Sequence, residues 1–149
     1  MSIFSQLNTT ASALTAQRLR MDVISSNMAN IDTARAELVD GKWQPYRRKT
    51  VALQQDGSSF LAHLHQAQGK SDSLNGVKVS GIRDDQSPFK LVFDPEHPDA
   101  NDQGYVQMPN VDPLKEMVDL ISSTRSYEAN VTVFNASKEM LMKTLQLGK

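Results

Sequence analysis

Residues 112–145 read DPLKEMVDLISSTRSYEANVTVFNASKEMLMKTL. Asp112 followed by Pro113 is a helix start: a carboxylate acceptor at the N-cap, then a residue whose φ is preset for the first helical position. From there Met117, Leu120, Thr124, Tyr127, Val131, Phe134, Lys138, Leu141 and Leu145 alternate at 3-4 spacing, a heptad seam broken only at Thr124 and Lys138. The spacing predicts one long helix over 112–149, apolar along a narrow stripe.

The other end of the chain carries the same signal. Ile3, Leu7, Thr10, Leu14, Gln17, Met21, Ile24, Met28 and Ile31 fall at 4-3 spacing with polar breaks at Thr10 and Gln17, and neither proline nor glycine interrupts them. A helix over 1–33 with Ser2 as N-cap would be a rod of roughly 40 Å. Its end lies in Ser25-Ser26-Asn27-Met28-Ala29-Asn30-Ile31-Asp32-Thr33. A nucleophilic Ser25 or Ser26 would need a base held by a third group, and the histidines, His63, His65 and His97, stand in no such context. Helix termination accounts for the stretch better: Asn27 and Asn30 tolerate left-handed geometry, Asn30 suits the C′ position, and Asp32-Thr33 opens a side-chain-mediated turn. The two asparagines then flank Met28 and offer amide groups for a contact.

Between the helices, over 34–111, the period shortens. Tyr46 to Leu53, Val77 to Ile82, Phe89 to Phe93 and Tyr105 to Met108 read as four short strands, with Asn75-Gly76 as a tight-turn signal. Residues 54–75, rich in Gln, Ser, Gly and Asp, read as a surface loop with a short helical turn around Phe60 to His65. The expected fold is therefore α+β and elongated: two long terminal helices packed as a coiled coil, with a small antiparallel β-rich region between them.

Composition bounds the function. A chain of 149 residues supports one domain. A net charge of -1 gives no global attraction to nucleic acid or anionic membrane, and the absence of cysteine removes disulfides, thiolate metal sites and cysteine nucleophiles. No basic and apolar leader and no spanning apolar stretch is present, so neither a cleaved signal peptide nor direct membrane insertion is expected. Four short strands bury little, and Met21, Met28, Phe134, Met140, Met142 and Leu147 leave apolar side chains on more than one flank of a two-helix hairpin. Either methionine fills the core of an α+β monomer, or neighbouring subunits complete it.

At this point two blocks are diagnostic. Ser12 to Thr33, SALTAQRLRMDVISSNMANIDT, and Phe93 to Met140, with Pro95, His97-Pro98, Gly104-Tyr105-Val106, Pro109-Asn110-Val111 and Arg125-Ser126-Tyr127-Glu128-Ala129-Asn130, closely resemble the flagellar basal-body rod proteins, in particular the proximal-rod type. With GIRDDQSPFKLVFDP extending the second block back to Gly81, the resemblance covers somewhat over half the chain. It implies terminal helices packed lengthwise around a narrow channel, subunits stacked helically into the periplasm-spanning rod of the basal body, and export through the flagellar type III apparatus without a cleaved signal. The implied partners are copies of the chain, other rod subunits and that export apparatus.

On that reading the packing residues are Leu14, Met21, Ile24 and Met28 against Leu120, Tyr127, Val131, Phe134 and Leu141, with Asn27, Asn30 and Asn130 as polar positioners. The basic run Lys42 to Lys49 interleaves aromatics in the manner of single-strand nucleic-acid binders, but it is isolated in a neutral chain, and no nucleic-acid partner is expected. Arg47 and Arg48 are instead expected to meet acidic residues of an adjacent subunit, drawn from Asp84, Asp85, Asp94, Glu96, Asp99 and Asp102. The alternative is a small soluble binding module with a calcium or ligand loop at 94–104. Asp99, Asn101 and Gly104 match an EF-hand loop, whereas Gln103 and Asn110 stand where ligands should be. His63 and His65 lack a third zinc ligand. No metal, cofactor or catalytic set is expected.

Overall fold

The computed structural model describes residues 3–39, 41–56, 64, 67 and 76–148. Helix α1 (Ile3–Ala29) is followed by strands β1 (Glu37–Val39), β2 (Lys42–Gln44), β3 (Lys49–Asp56), β4 (Gly76–Asp84), β5 (Lys90–Phe93) and β6 (Tyr105–Met108), and helix α2 (Pro113–Leu147) closes the chain. Asp112 caps α2 by accepting the Leu114 N–H (3.0 Å), with Pro113 in the first turn. At the other end of α1, Asn30 follows the last helical residue and its N–H reaches the carbonyls of Ser26 and Asn27. The expected Ser2 cap lies outside the described residues, as does the turn expected at Phe60 to His65 apart from Leu64, which is helical.

The helices pack antiparallel. Asn27, near the end of α1, donates to Glu116 in the first turn of α2, and Thr124, two turns further on, reaches back to the Met21 sulfur (3.6 Å). Because α2 has 35 residues against 27 in α1 and starts beside the end of its partner, its last turns run past the beginning of α1. Met142, Leu145 and Leu147 there are exposed, Leu147 at 88%.

The seam of α2 differs from its apolar pattern. The buried residues are Glu116, Ser123 and Ser137, one heptad position apart or two, and half-buried Asn130 fills the gap between them. Leu120, Tyr127, Phe134 and Leu141, each four residues further on, are half-buried beside this row. Met117 and Lys138 are exposed, and Thr124 and Val131 sit on the flank. Beyond Glu116 the innermost row is held by small polar side chains, which let the two backbones approach closely, and the Ser137 hydroxyl bonds the Val133 carbonyl within its own helix (2.9 Å).

A second layer covers α1. Strands β3 and β4 form an antiparallel ladder from Lys49↔Asp84 to Asp56↔Gly76, with a bulge between Ala52 and Leu53. The ladder lies along α1, because the Ser12 hydroxyl accepts the Val77 N–H (3.0 Å) near one of its ends and Asn27 holds Lys49 at the other. A Cβ on Gly76 would stand 2.5 Å from Ser12 Oγ, so glycine is what permits this approach. Flanked on two sides, α1 buries a broader face than a single seam: Thr10, Ala16, Val23, Ile24 and Asn27 are all buried, while Leu14, Gln17, Met21 and Met28 are half-buried.

The strands are therefore six among the described residues, in three separate two-stranded ladders, where four were expected. The pair missed is β1–β2, a hairpin with Leu38 opposite Trp43 and Gly41 at φ +75 in its turn. Both strands are too short and too polar for alternation to reveal them. The expected strand at Tyr46 begins only at Lys49, because Tyr46, Arg47 and Arg48 are committed elsewhere. In the third ladder Phe93 packs edge-on against Tyr105 at 5.3 Å, and Val106, Pro109 and Val111 are buried on the way into α2.

Candidate functional site

The densest polar constellation forms where the end of α1, the start of β3 and the first turns of α2 converge. Asn27 is fully buried and uses its whole amide. Its Oδ1 accepts from the Tyr46 hydroxyl (3.0 Å) and the Lys49 N–H (2.9 Å), and its Nδ2 donates to the Lys49 carbonyl (2.9 Å) and to Glu116 Oε2 (3.0 Å). Bonding both backbone groups of Lys49 makes Asn27 act as an extra rung on the β3 edge, which fixes the ladder against the helix.

Glu116 is also fully buried and passes the contact on. Its Oε1 accepts from Arg48 Nε at 2.5 Å, while the other guanidinium nitrogens reach Asp85 (3.4 Å) and Asp119 (3.2 Å). Burial works against the Arg48 charge, but Glu116 first, then Asp85 and Asp119, outweigh it and hold the guanidinium pKa above its ordinary value. Asp85 lies below the usual carboxylate range, mainly because Ser87 donates both its hydroxyl (2.6 Å) and its N–H (3.0 Å), with Arg48 adding to the effect. Asn110 completes the frame: its Oδ1 accepts the Arg48 N–H (2.7 Å) and its Nδ2 donates to the Asp85 and Ser87 carbonyls.

This corrects the expected charge contact. Arg48 and Asp85 meet inside the chain, since β3 starts beside α2 and a guanidinium only 12% exposed requires carboxylates at hand. Arg47 turns to the Asp85 carbonyl (3.1 Å) and stacks on the Phe89 ring at 4.3 Å. Asp84 is exposed at the end of β4, opposite Lys49. Asn27 likewise spends its amide within the chain, and Asn30 and Asn130 donate to the carbonyls of Ser26 (2.8 Å) and Ser126 (2.9 Å) on their own helices. Tyr46, Asn110, Glu116 and Asp119 were not anticipated: Glu116 is 89 residues from Asn27, and no local pattern announces such a pair.

The loop at 94–104 is organised as a turn. Arg35 clamps Asp99 through Nε (2.8 Å to each oxygen) and Nη2 (2.5 Å), and Arg35 accordingly holds the Asp99 pKa below its usual range. Asn101 Oδ1 accepts the N–H groups of Gln103 (3.0 Å) and Tyr105 (2.9 Å). Two of the oxygens that matched a calcium loop are thus engaged by the protein itself, and no cluster suited to a metal ion occurs among the described residues. His63 and His65 lie outside them. No helix among the described residues is long and apolar enough to cross a membrane.

Two family models match the chain: flagella basal body rod protein over residues 7–36, and flagellar basal body rod FlgEFG protein C-terminal over residues 102–147. These spans take in most of α1 and the whole of α2. Curated relatives named flagellar basal-body rod protein FlgC align from end to end. That of Bacillus subtilis (strain 168) is 65% identical over 150 residues, covering 100% of both chains. That of Escherichia coli O157:H7 is 43% identical over 149 residues, covering 100% of both, and that of Borreliella burgdorferi is 42% identical over 158 residues, covering 99% of this chain and 98% of its own. With the antiparallel helix pair, the β-rich middle and full-length identity in agreement, the chain belongs to the FlgC family of flagellar basal-body rod proteins.

Proposed function

We propose that the chain is a structural, non-enzymatic subunit of the basal-body rod that is incorporated into a helical tube through the faces its own fold leaves uncovered. The observation that carries this reading is the outward side of α2. Leu114, Val118 and Ile121, the last 60% exposed, form a stripe with Met117 on the side away from the buried row Glu116, Ser123, Asn130 and Ser137. Met140, Met142, Leu145 and Leu147 add apolar surface where α2 outruns α1. Such contiguous exposure calls for a partner.

The three segments 1–33, 34–111 and 112–149 then serve as outer helix, spacer and contact helix. The partners are copies of the chain and other rod subunits, in head-to-tail contacts that propagate instead of closing. Within this reading Leu14, Met21, Ile24 and Met28 pack with Leu120, Tyr127, Val131, Phe134 and Leu141. The chain reaches the periplasmic part of the basal body through the flagellar export apparatus without a cleaved signal, and neither nucleic acid nor membrane insertion has a part.

The test is complementation of a strain deleted for its own copy. The parent chain should restore swimming, and Ile121→Asp should be exported and soluble yet fail to restore it. A swimming Ile121→Asp strain would remove the outward face of α2 from the assembly surface.

A further inference from the structure

Helix α1 is covered on one side by α2 and on another by the β3–β4 ladder, and its third side is bare. Ala11, Thr15, Arg18, Asp22, Ser25 and Ala29 follow one another at 4-3-4-3-4 spacing along that side, and all are exposed. The stripe is smooth, because its side chains are short except at Arg18 and Asp22. The charged groups of those two make no ion pair or hydrogen bond with any described residue. The outward stripe of α2 has the same spacing: Leu114, Val118, Ile121, Arg125, Glu128 and Thr132 are also 4-3-4-3-4 apart and exposed. Arg125 and Glu128 pair with each other at 3.4 Å, but with side chains 80% and 59% exposed that pairing is worth little and is given up at little cost.

We propose that the outward stripe of α2 in one copy lies antiparallel along the bare side of α1 in a second copy, with Glu128 of the first against Arg18 of the second and Arg125 against Asp22. Charge order selects the direction. The cation precedes the anion in both stripes, so a parallel crossing would set like charges opposite one another, whereas an antiparallel crossing pairs both. The antiparallel stripes also keep step. With Arg125 at Asp22, Val118 meets Ala29, Ile121 meets Ser25 and Thr132 meets Thr15, never more than one residue, about 1.5 Å, out of register. The bulky apolar side chains of α2 then fall on the small ones of α1, as ridges enter grooves. Because α1 and α2 already run antiparallel within the chain, an antiparallel contact between copies requires the two copies to point the same way. Each copy gives a different face to the contact and keeps the other face for the next copy, so the contact propagates instead of closing into a dimer.

The inference rests on the rod-subunit reading, and its test separates the two. The chain has no cysteine, so introduced thiols report without background from it. In a deletion strain making two versions of the full chain, Ala29→Cys and Val118→Cys, mild oxidation of isolated basal bodies should give a band at twice the chain mass, and neither version by itself should do so. Arg18→Glu, which brings two carboxylates together across the contact, should cut the swimming halo at least twofold while its helical circular dichroism stays unchanged. Glu128→Arg added to the same chain should recover most of the halo, because every copy then carries both changes. Basal bodies that hold both cysteine versions without the band, a band from one version alone, an undiminished halo with Arg18→Glu, or no recovery in the double variant each overturn the contact. Absence of the chain from basal bodies would overturn the rod-subunit reading instead.

Discussion

The two ends of the helix pair solve the same problem differently. At one end, where α1 stops and α2 begins, Asn27 and Glu116 are fully buried, Arg48 is half-buried against them, and every polar atom of the Asn27 amide is paired within the chain. At the other, α2 continues past α1 with Met142, Leu145 and Leu147 in solvent. A long helix gains most of its stability from what covers it. The first end is therefore covered within the single chain, and the second is left uncovered by it.

Substitutions can break this contrast, and they rank by expected effect. Glu116→Ala strips Arg48 of its closest partner and Asn27 of an acceptor; loss of one member of a buried ion pair costs about 3–5 kcal/mol, readable as a lowered urea midpoint. Asn27→Ala leaves the Lys49 backbone and the Tyr46 hydroxyl without partners and should cost roughly 2–4 kcal/mol in the same assay. Gly76→Ala presses a methyl against Ser12 and should cost about 1–3 kcal/mol, with hydrogen exchange rising in β4 before α2.

Acid should sharpen the same division more gently. Asp85 and Asp99 have folded pKa values below their unfolded ones, so protonation favours the unfolded chain. Their contribution is complete above the ordinary carboxylate value near 3.9 and is lost as pH falls through the depressed values. Asp85→Asn should lower stability at neutral pH by under about 1 kcal/mol and leave it nearly unchanged below the depressed value, so that the acid limb of the stability–pH curve flattens. Smallest of all, Leu147→Ser should shift the stability of the isolated chain by less than about 0.5 kcal/mol, since Leu147 is exposed where α2 outruns α1. A Leu147→Ser effect as large as that of Asn27→Ala would show that the overhang is covered in the single chain and end the contrast.

Much of the fold is legible in the residues. Both helices announce themselves through heptad spacing, Asp112-Pro113 marks the start of α2, and Tyr105 to Met108 is a strand over the bounds its composition suggests. The innermost row of α2 is not legible, because apolar spacing is the signal a seam leaves in sequence, and Glu116, Ser123, Asn130 and Ser137 are polar. The apolar spacing runs instead through Met117, Thr124, Val131 and Lys138, one residue away. The Asn27 constellation escaped for a different reason. Its members come from three distant segments, and only the antiparallel stagger of the helices brings them within 3 Å. Arg47 and Arg48 were visible as charge, but charge alone does not say whether its counterion lies within the chain or beyond it.

The polar row at the heart of the helix pair also bears on the chain before it finds its place. When two helices meet through leucine at every seam position, parting them exposes a continuous oily stripe that drives indiscriminate clumping. In α2 every second seam position is serine, asparagine or glutamate, so the parted helix shows water a striped, discontinuous surface, with Leu120, Tyr127 and Phe134 separated by groups that hydrate well. Parting the pair therefore bares no continuous apolar stripe along this seam. The helix pair is a fastener whose parted α2 face is a broken stripe and not a continuous apolar one.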